Sequence, residues 1–357
     1  MKNTRTLRKA TLAITAIAFF GFGMVGCASG GSANGSSGGT PQLEGNISIY
    51  SYMRALGEVI WASYTGTEDG VSIGLNRDGE PFGTAENGTS LSITVQEEGI
   101  YTVTVSADGF QSKTSGRIMV VDTSGPAETE GGLNYRKLGN ASVVMGGVDP
   151  VPKELTIPGT LGGSPVVAIW HGAFSEEGLT SVIIPDSVTS IGAMAFYKNS
   201  LKSVAIPDDV TSIEDMAFNE NSLTSLDIPG GVTKIGRSAF GDNSLTSVTI
   251  PSSVVSIEDY AFASNRLTSV TIRNGVTEIW EGAFSGNSLT AITIPASVTS
   301  IGEYAFSRNA LTSVTIGANV RISSMGNYER AFRTLYSDNG RLAGTYTYAD
   351  GNWTRQN

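Results

Sequence analysis

From Leu179 onward the apolar residues of this 357-residue chain recur at fixed places. The stretch NSLTSVTIPSSVVSIEDYAF (Asn243 to Phe262) sets Leu245, Val248 and Ile250 before Pro251, then Val254, Ile257, Ala261 and Phe262 after it. The pattern restarts at Leu179, Leu201, Leu223, Leu245, Leu267, Leu289 and Leu311, a constant step of 22, which marks a solenoid. Alternation of Val248 and Ile250 with Ser247 and Thr249 predicts a strand in the first half of each unit. The second half spaces its apolar residues at i, i+3, i+7 and i+8, which predicts a helical or 3-10 turn. One unit cannot bury both apolar faces. Stacking units puts Leu on Leu and Phe on Phe, with strands about 4.8 Å apart in a parallel ladder. Asn199, Asn221, Asn243, Asn265, Asn287 and Asn309 share one slot before the strand, and an inward amide ladder pairing backbone groups is predicted there.

Upstream, the pattern changes period. YTVTVSA alternates Tyr101, Val103 and Val105 with Thr102, Thr104 and Ser106, and similar short runs surround Asn46, Val59 and Leu91. With an Asp-Gly turn at Asp78 and Gly79, residues 42–122 read as a small all-β sandwich. Breaker-rich residues 123–132 are a linker to a solenoid over residues 133–334, and residues 335–357 read as a C-terminal hairpin cap around Asp350 and Gly351. At the other end, Lys2, Arg5, Arg8 and Lys9 precede an apolar run from Thr11 to Gly26, too short to span a bilayer comfortably. Residues 1–26 are therefore expected to be a signal peptide, and residues 27–41 a lipidated cysteine with a flexible Gly/Ser tether.

Three resemblances follow from these residues. MVGC, ending at Cys27, resembles the lipobox of bacterial lipoproteins, with Met24 in the usual leucine slot. It implies cleavage before Cys27 and acylation of that residue, with membrane anchoring through the acyl chains. Ala28 after Cys27 resembles the pattern sent to the outer membrane. The strings LEGNISI, LGEVIWASYTG and GIYTVTVSADGF resemble bacterial immunoglobulin-like modules, with Leu75 where such modules often carry a core tryptophan. The unit L-x-x-V-x-I-P-x-x-V-x-x-I-x-x-x-A-F resembles the leucine-rich repeats of BspA-like, or treponemal-type, surface antigens from about Leu133 to Phe332. That family often places cysteine where asparagine stands here. The implied fold class is multidomain: an immunoglobulin-like sandwich followed by a leucine-rich-repeat solenoid, a parallel β ladder with short helical or 3-10 turns. The implied role is adhesion to host matrix or other bacterial surface proteins.

Charge and chemistry narrow the function classes. The formal charge is −10, and the first 26 residues hold four cations and no acid, so the remainder is more acidic still. Nucleic-acid binding needs clustered Lys and Arg, which are lacking. With one histidine, His171, one cysteine, and no HExxH, GxSxG or phosphate-cradling glycine motif, no catalytic constellation or cofactor is predicted. His171 is expected to be a solvated turn residue, and the pairs Glu214–Asp215 and Glu258–Asp259 to form a charged outer face rather than a glycosidase site. The candidate binding face comprises Ser181, Ser203, Ser225, Ser247, Ser269 and Ser313, beside Asp227, Thr249, Thr271, Thr293 and Thr315. Asp186, Asp208, Asp209 and Asp227 form its acidic end, where no loop motif supports calcium. Trp170 and Trp280, which share a turn slot, are candidate aromatic contacts or local packing groups. The sequence thus predicts a non-catalytic, lipid-anchored surface protein. A periplasm-facing scaffold that binds an envelope partner or polysaccharide is the alternative.

Overall fold

The computed structural model describes residues 43, 47–49, 53–55, 57–64, 71–78, 80–82, 86–87, 90–107, 110–115, 117–323 and 327–356. The leader, Cys27 and the tether lie outside the described residues.

The 22-residue unit forms one coil of a solenoid. In the unit of Leu245, strand Ser247–Ile250 is followed by a turn in which the Val254 N–H donates to the Pro251 carbonyl. The equivalent bond recurs from Val188, Val210, Val232 and Val298, which explains the P-x-x-V spacing. A two-residue strand, Ser256–Ile257, comes next, and the chain then turns through Tyr260 and Phe262 to Asn265.

The predicted helical turn is not formed. In the coils before the last, the residue ahead of the Ala-Phe pair has positive φ, as in Met194, Met216, Ser238, Tyr260 and Tyr304. The second residue after each Phe does too, as in Lys198, Glu220, Asp242, Ser264 and Arg308. Two left-handed residues per coil are incompatible with a right-handed helix of any length. The apolar residues point inward because the chain turns sharply twice, not because it winds.

A continuous sheet also arises in the second half of the unit rather than the first. It runs from the antiparallel strands Glu128–Glu130, Leu133–Leu138 and Ala141–Gly147 through Ser164–Ile169, then in parallel through Ser190–Ile191, Ser212–Ile213, Lys234–Ile235, Ser256–Ile257, Glu278–Ile279, Ser300–Ile301 and Arg321–Ile322. The first-half strands pair parallel in shorter sets: Glu154–Thr156 with Ser181–Ile183, Ser247–Ile250 with Ser269–Ile272, and Ala291–Thr293 with Ser313–Ile316.

Two ladders hold the coils together. Phe174, Phe196, Phe218, Phe240, Phe262, Phe284 and Phe306 stack with centroids 5.2–5.7 Å apart and planes within 14° of parallel. The asparagines form the expected inward ladder. Asn243 Oδ1 accepts from the Leu223 N–H at 3.0 Å, while Nδ2 reaches the carbonyls of Phe218, Phe240 and Gly241 at 2.9, 3.2 and 3.0 Å. Asn265 repeats this one coil on.

The ends are closed differently. Upstream, the hairpin Leu133–Leu138 and Ala141–Gly147 extends the sheet with two-stranded breadth. Downstream, the lengthened final unit holds an α-helix, Asn327–Asp338, that the repeat pattern hid. The predicted hairpin forms as Gly344–Ala349 and Asn352–Arg355, and its first strand pairs antiparallel with Ser313–Ile316. Phe332, Tyr336, Tyr346 and Trp353 are buried over the last coil.

Residues before the solenoid form two further sheets, Ile47–Ile49 with Val59–Tyr64 and Ser90–Thr94, and Met53–Ala55 with Ile118–Val121, Gly99–Ser106 and Ser72–Arg77. Tyr101, Val103 and Val105 share the buried face that alternation predicted, with Leu75 in the same core.

Asn243→Ala removes one acceptor and three donor bonds from a buried corner, and should lower unfolding stability by about 3 kcal/mol. Phe240→Ala should cost about 3–5 kcal/mol through lost contact and cavity formation. Urea unfolding at fixed slope checks both, since a lower midpoint with unchanged slope reports stability alone.

Candidate functional site

The predicted outward columns come into register on an exposed strip. Ser247 pairs with Ser269, Thr249 with Thr271, Ala291 with Ser313 and Thr293 with Thr315. Ser181, Ser203, Ser225, Ser247, Thr249, Ser269, Thr271 and Thr293 are exposed, whereas Ser313 and Thr315 are half-buried because the C-terminal hairpin pairs beside them. Thr315 Oγ1 shares a hydrogen bond of 2.9 Å with Thr345 Oγ1. Asp186, Asp208, Asp209 and Asp227 are likewise exposed. Ile183 breaks the polar column and is 62% exposed.

The turn side of the continuous sheet is built more specifically, and sequence reasoning missed why. The middle residue of each three-residue turn alternates in role from coil to coil. His171 Nδ1 accepts from the Ala193 N–H at 3.0 Å, Asp215 Oδ1 from the Arg237 N–H at 2.9 Å, and Asp259 Oδ1 from the Glu281 N–H at 3.0 Å. Every second coil thus supplies an acceptor that fixes the turn of the next. The residue before it runs Trp170, Gly192, Glu214, Gly236, Glu258, Trp280 and Gly302, alternating bulky and glycine except at the consecutive coils of Glu258 and Trp280. A Cβ on Gly192, Gly236 or Gly302 would approach the backbone of the preceding coil to 2.8, 2.6 and 2.7 Å respectively, so Trp170, Glu214 and Trp280 are each followed by a turn that only glycine fits, whereas Glu258 is followed by Trp280.

These contacts correct two expectations. His171 is not a solvated turn residue: its Nε2 lies 3.2 Å from the Met53 carbonyl, beneath the upstream sheet. With Nδ1 accepting, Nε2 must donate, which fixes the neutral tautomer. Burial pushes its pKa down, against the upward pull of Glu214, the Met53 carbonyl and Glu58, and Arg54 adds to the lowering. The acid pairs do not form a fully solvated face either. Glu214 is 3% exposed, and its Oε2 sits 3.4 Å from Lys234 Nζ. Burial works against the Lys234 charge, but Glu214, Asp215 and Glu258 outweigh it and hold its pKa above the usual value. Burial raises the carboxyl pKa of both Asp215 and Glu258, with Lys234 pulling each the other way.

The two tryptophans separate. Trp170 is 9% exposed and packs with Met53, Met119, Val121, Val143 and Val167, joining the upstream sheet to the first coils. Trp280 is 42% exposed, and its Nε1 donates to Glu278 Oε2 at 3.2 Å. Among the described residues, no three His, Cys, Asp or Glu side chains converge as a metal site, and no helix is long and apolar enough to cross a membrane.

Stacked 22-residue coils with a leucine, a phenylalanine and an asparagine ladder define a leucine-rich-repeat solenoid. Residues 167–287 and 233–335 match the family model of the BspA type leucine rich repeat region, in six copies, so the repeats are of the BspA type. None of the curated proteins compared with the chain matches it. Among solved structures, a leucine rich cell surface protein from Faecalibacterium prausnitzii A2-165 is 27% identical, over 65% of this chain and 61% of its own, with a TM-score of 0.44. A leucine-rich repeat protein from Bacteroides ovatus is 24% identical over 55% of this chain and 67% of its own, with a TM-score of 0.41. The pneumococcal vaccine antigen PcpA is 22% identical over 54% of this chain and half of its own, with a TM-score of 0.36.

Free histidine has a pKa near 6.5, so the undocked state takes up a proton that docked His171 resists. The stabilisation from this contact is therefore complete above about pH 6.5 and declines as pH falls from there toward the lower docked pKa. Urea midpoints of the parent and His171→Gln, compared between neutral and mildly acidic buffer, should show a pH-dependent difference that the variant abolishes. Lys234→Ala should cost about 2–4 kcal/mol at neutral pH by stranding the Glu214 carboxylate. Lys198→Ala, in an exposed pair with Glu176, should change stability by less than about 1 kcal/mol in the same assay.

Proposed function

We propose that the protein is a non-catalytic display protein of the bacterial envelope, anchored by acyl chains on Cys27, with its solenoid acting as an adhesin-like, protein-binding surface. In this reading residues 42–122 are an immunoglobulin-like spacer that carries the solenoid away from the membrane, which is the outer membrane facing the exterior. The observation that carries the reading is the strip of exposed Ser and Thr side chains from Ser181 to Thr293, in register where Ser247 and Thr249 pair with Ser269 and Thr271. Small hydroxyl residues present backbone and side-chain hydrogen-bonding groups without long, entropically costly side chains. The backbone groups of the buried corners are meanwhile met by the asparagine ladder, without these hydroxyls. The BspA-type repeats support the same role, with a host matrix protein or another bacterial surface protein as partner.

Binding of the chain from Pro41 to Asn357 to a panel of matrix proteins and glycans tests this. A protein partner is expected, and Ser247→Arg with Ser269→Arg and Thr271→Arg together should weaken it at least about tenfold by crowding the strip. Binding to glycans alone, or to no panel member, would favour the scaffold reading. Protease shaving of intact cells reads the topology: loss of the repeats is expected, and their survival while a known surface protein is cut would place them inside the envelope.

A further inference from the structure

The chain contains one worked example of what its turn side can bind, because it binds itself there. At the first coils, the edge strand Met53–Ala55 lies against Trp170 and His171. The indole is buried among Met53, Met119 and Val121, and the imidazole holds the Met53 carbonyl. Arg54, the central residue of that strand, has a side chain only 15% exposed, with Glu58 3.9 Å away. The turn slot thus receives an extended segment through an apolar indole contact and a hydrogen bond from the imidazole to a main-chain carbonyl.

The same slot returns five coils later at Trp280, now open to solvent. The indole walls a cavity of about 300 Å³ together with Asp259, Glu278, Glu281, Ser300 and Gly302. As at Trp170, the next coil places glycine beside it, and a Cβ on Gly302 would come 2.7 Å from the Trp280 carbonyl carbon. Tyr260 and Tyr304, on the flanking coils, are exposed by 39% and 45% and lengthen the aromatic surface. Tyr260 is anchored by a hydrogen bond from its hydroxyl to Glu281. Three carboxylates line the cavity, and burial raises the Asp259 pKa against the pull of Arg237 and the Glu281 N–H. A cation placed over an indole face and among carboxylates gains from both.

We propose that the concavity at Trp280 is a docking slot for an extended, arginine- or lysine-bearing segment of a protein partner, held by the exposed indole and the carboxylates around it, with Glu281 standing where His171 stands beside Trp170. The slot rests on the reading that the solenoid binds protein, but it lies on the turn side of the coil, in residues separate from the Ser and Thr columns. A cationic polypeptide is favoured over a neutral sugar because Asp259, Glu278 and Glu281 line the concavity beside the indole.

The test uses the full chain and fluorescence anisotropy of labelled octapeptides that alternate arginine with valine or glutamate with valine, with a neutral oligosaccharide as a third probe. The arginine peptide should bind preferentially and more weakly as salt rises. Trp280→Ala should weaken it at least about tenfold. Glu278→Gln with Glu281→Gln should weaken it about fivefold or more while leaving the indole in place. Urea midpoints of these variants should match the parent, as all three residues are at least partly exposed. Equal binding of both peptides, tighter binding of the oligosaccharide, or indifference to Trp280→Ala would overturn the proposal. A panel protein whose binding is lost with the Ser and Thr column variants but kept with Trp280→Ala would also overturn it, while leaving protein binding by the solenoid intact.

Discussion

The structure depends on how a chain that turns sharply twice per coil satisfies its buried backbone. Where the turn after Phe262 meets the next strand, no helix or sheet bond is available, and an unpaired amide there costs as much as a lost hydrogen bond. Asn265 supplies the partners from one planar group: Oδ1 takes the Leu245 N–H, and Nδ2 faces the carbonyls of Phe240, Phe262 and Ala263. Because each amide bridges its own coil and the one before, it also sets the distance between coils. The phenylalanine stack, the two-residue strands and the Ser and Thr register all inherit that spacing. A carboxylate in this slot would lack the donors, and a hydroxyl the reach.

Given that spine, the turn side is free to vary only in a restricted way. An acceptor at His171, Asp215 or Asp259 fixes the following turn, and a glycine in that turn makes room for the bulky residue before it. From Trp170 to Glu258 the turn packing therefore repeats every two coils, and at Trp280 that pairing breaks. This pairing gathers the acids around Lys234, and Trp170 and Trp280 have in common a glycine, Gly192 or Gly302, in the slot of the next coil. Their difference lies in what covers them: the upstream sheet reaches the first coils and leaves Trp280 in solvent.

The ends show the same economy of means. A solenoid exposes an apolar cross-section at each end, and a parallel ladder leaves unpaired edges there. The antiparallel hairpin Leu133–Leu138 with Ala141–Gly147 extends the sheet at the upstream edge. Downstream, helix Asn327–Asp338 and the terminal hairpin cover the stack with Phe332, Tyr336, Tyr346 and Trp353, and the Tyr336 hydroxyl ties back to the Gly317 carbonyl at 2.7 Å.

The repeat step, the inward Leu, Val, Ile and Phe positions, the asparagine ladder and the outward columns could be read from the sequence, because each is a local consequence of side-chain type recurring at one interval. The helical reading of the second half failed for a physical reason: i, i+3, i+7, i+8 spacing records which residues point inward, and two left-handed turns achieve that as well as a helix does. Helix Asn327–Asp338 was masked by its use of the repeat's own Ala-Phe pair, although Phe332, Leu335 and Tyr336 followed by Asn339 and positive-φ Gly340 carry a helix-and-stop signal. The sequence alone determined that coils stack and which residues stack them. Only the tertiary structure decided that Trp170 is buried and His171 half-buried while Trp280 is exposed, because that depends on which surface the upstream sheet covers, a contact between His171 and Met53 that spans 118 residues and leaves no trace in local pattern.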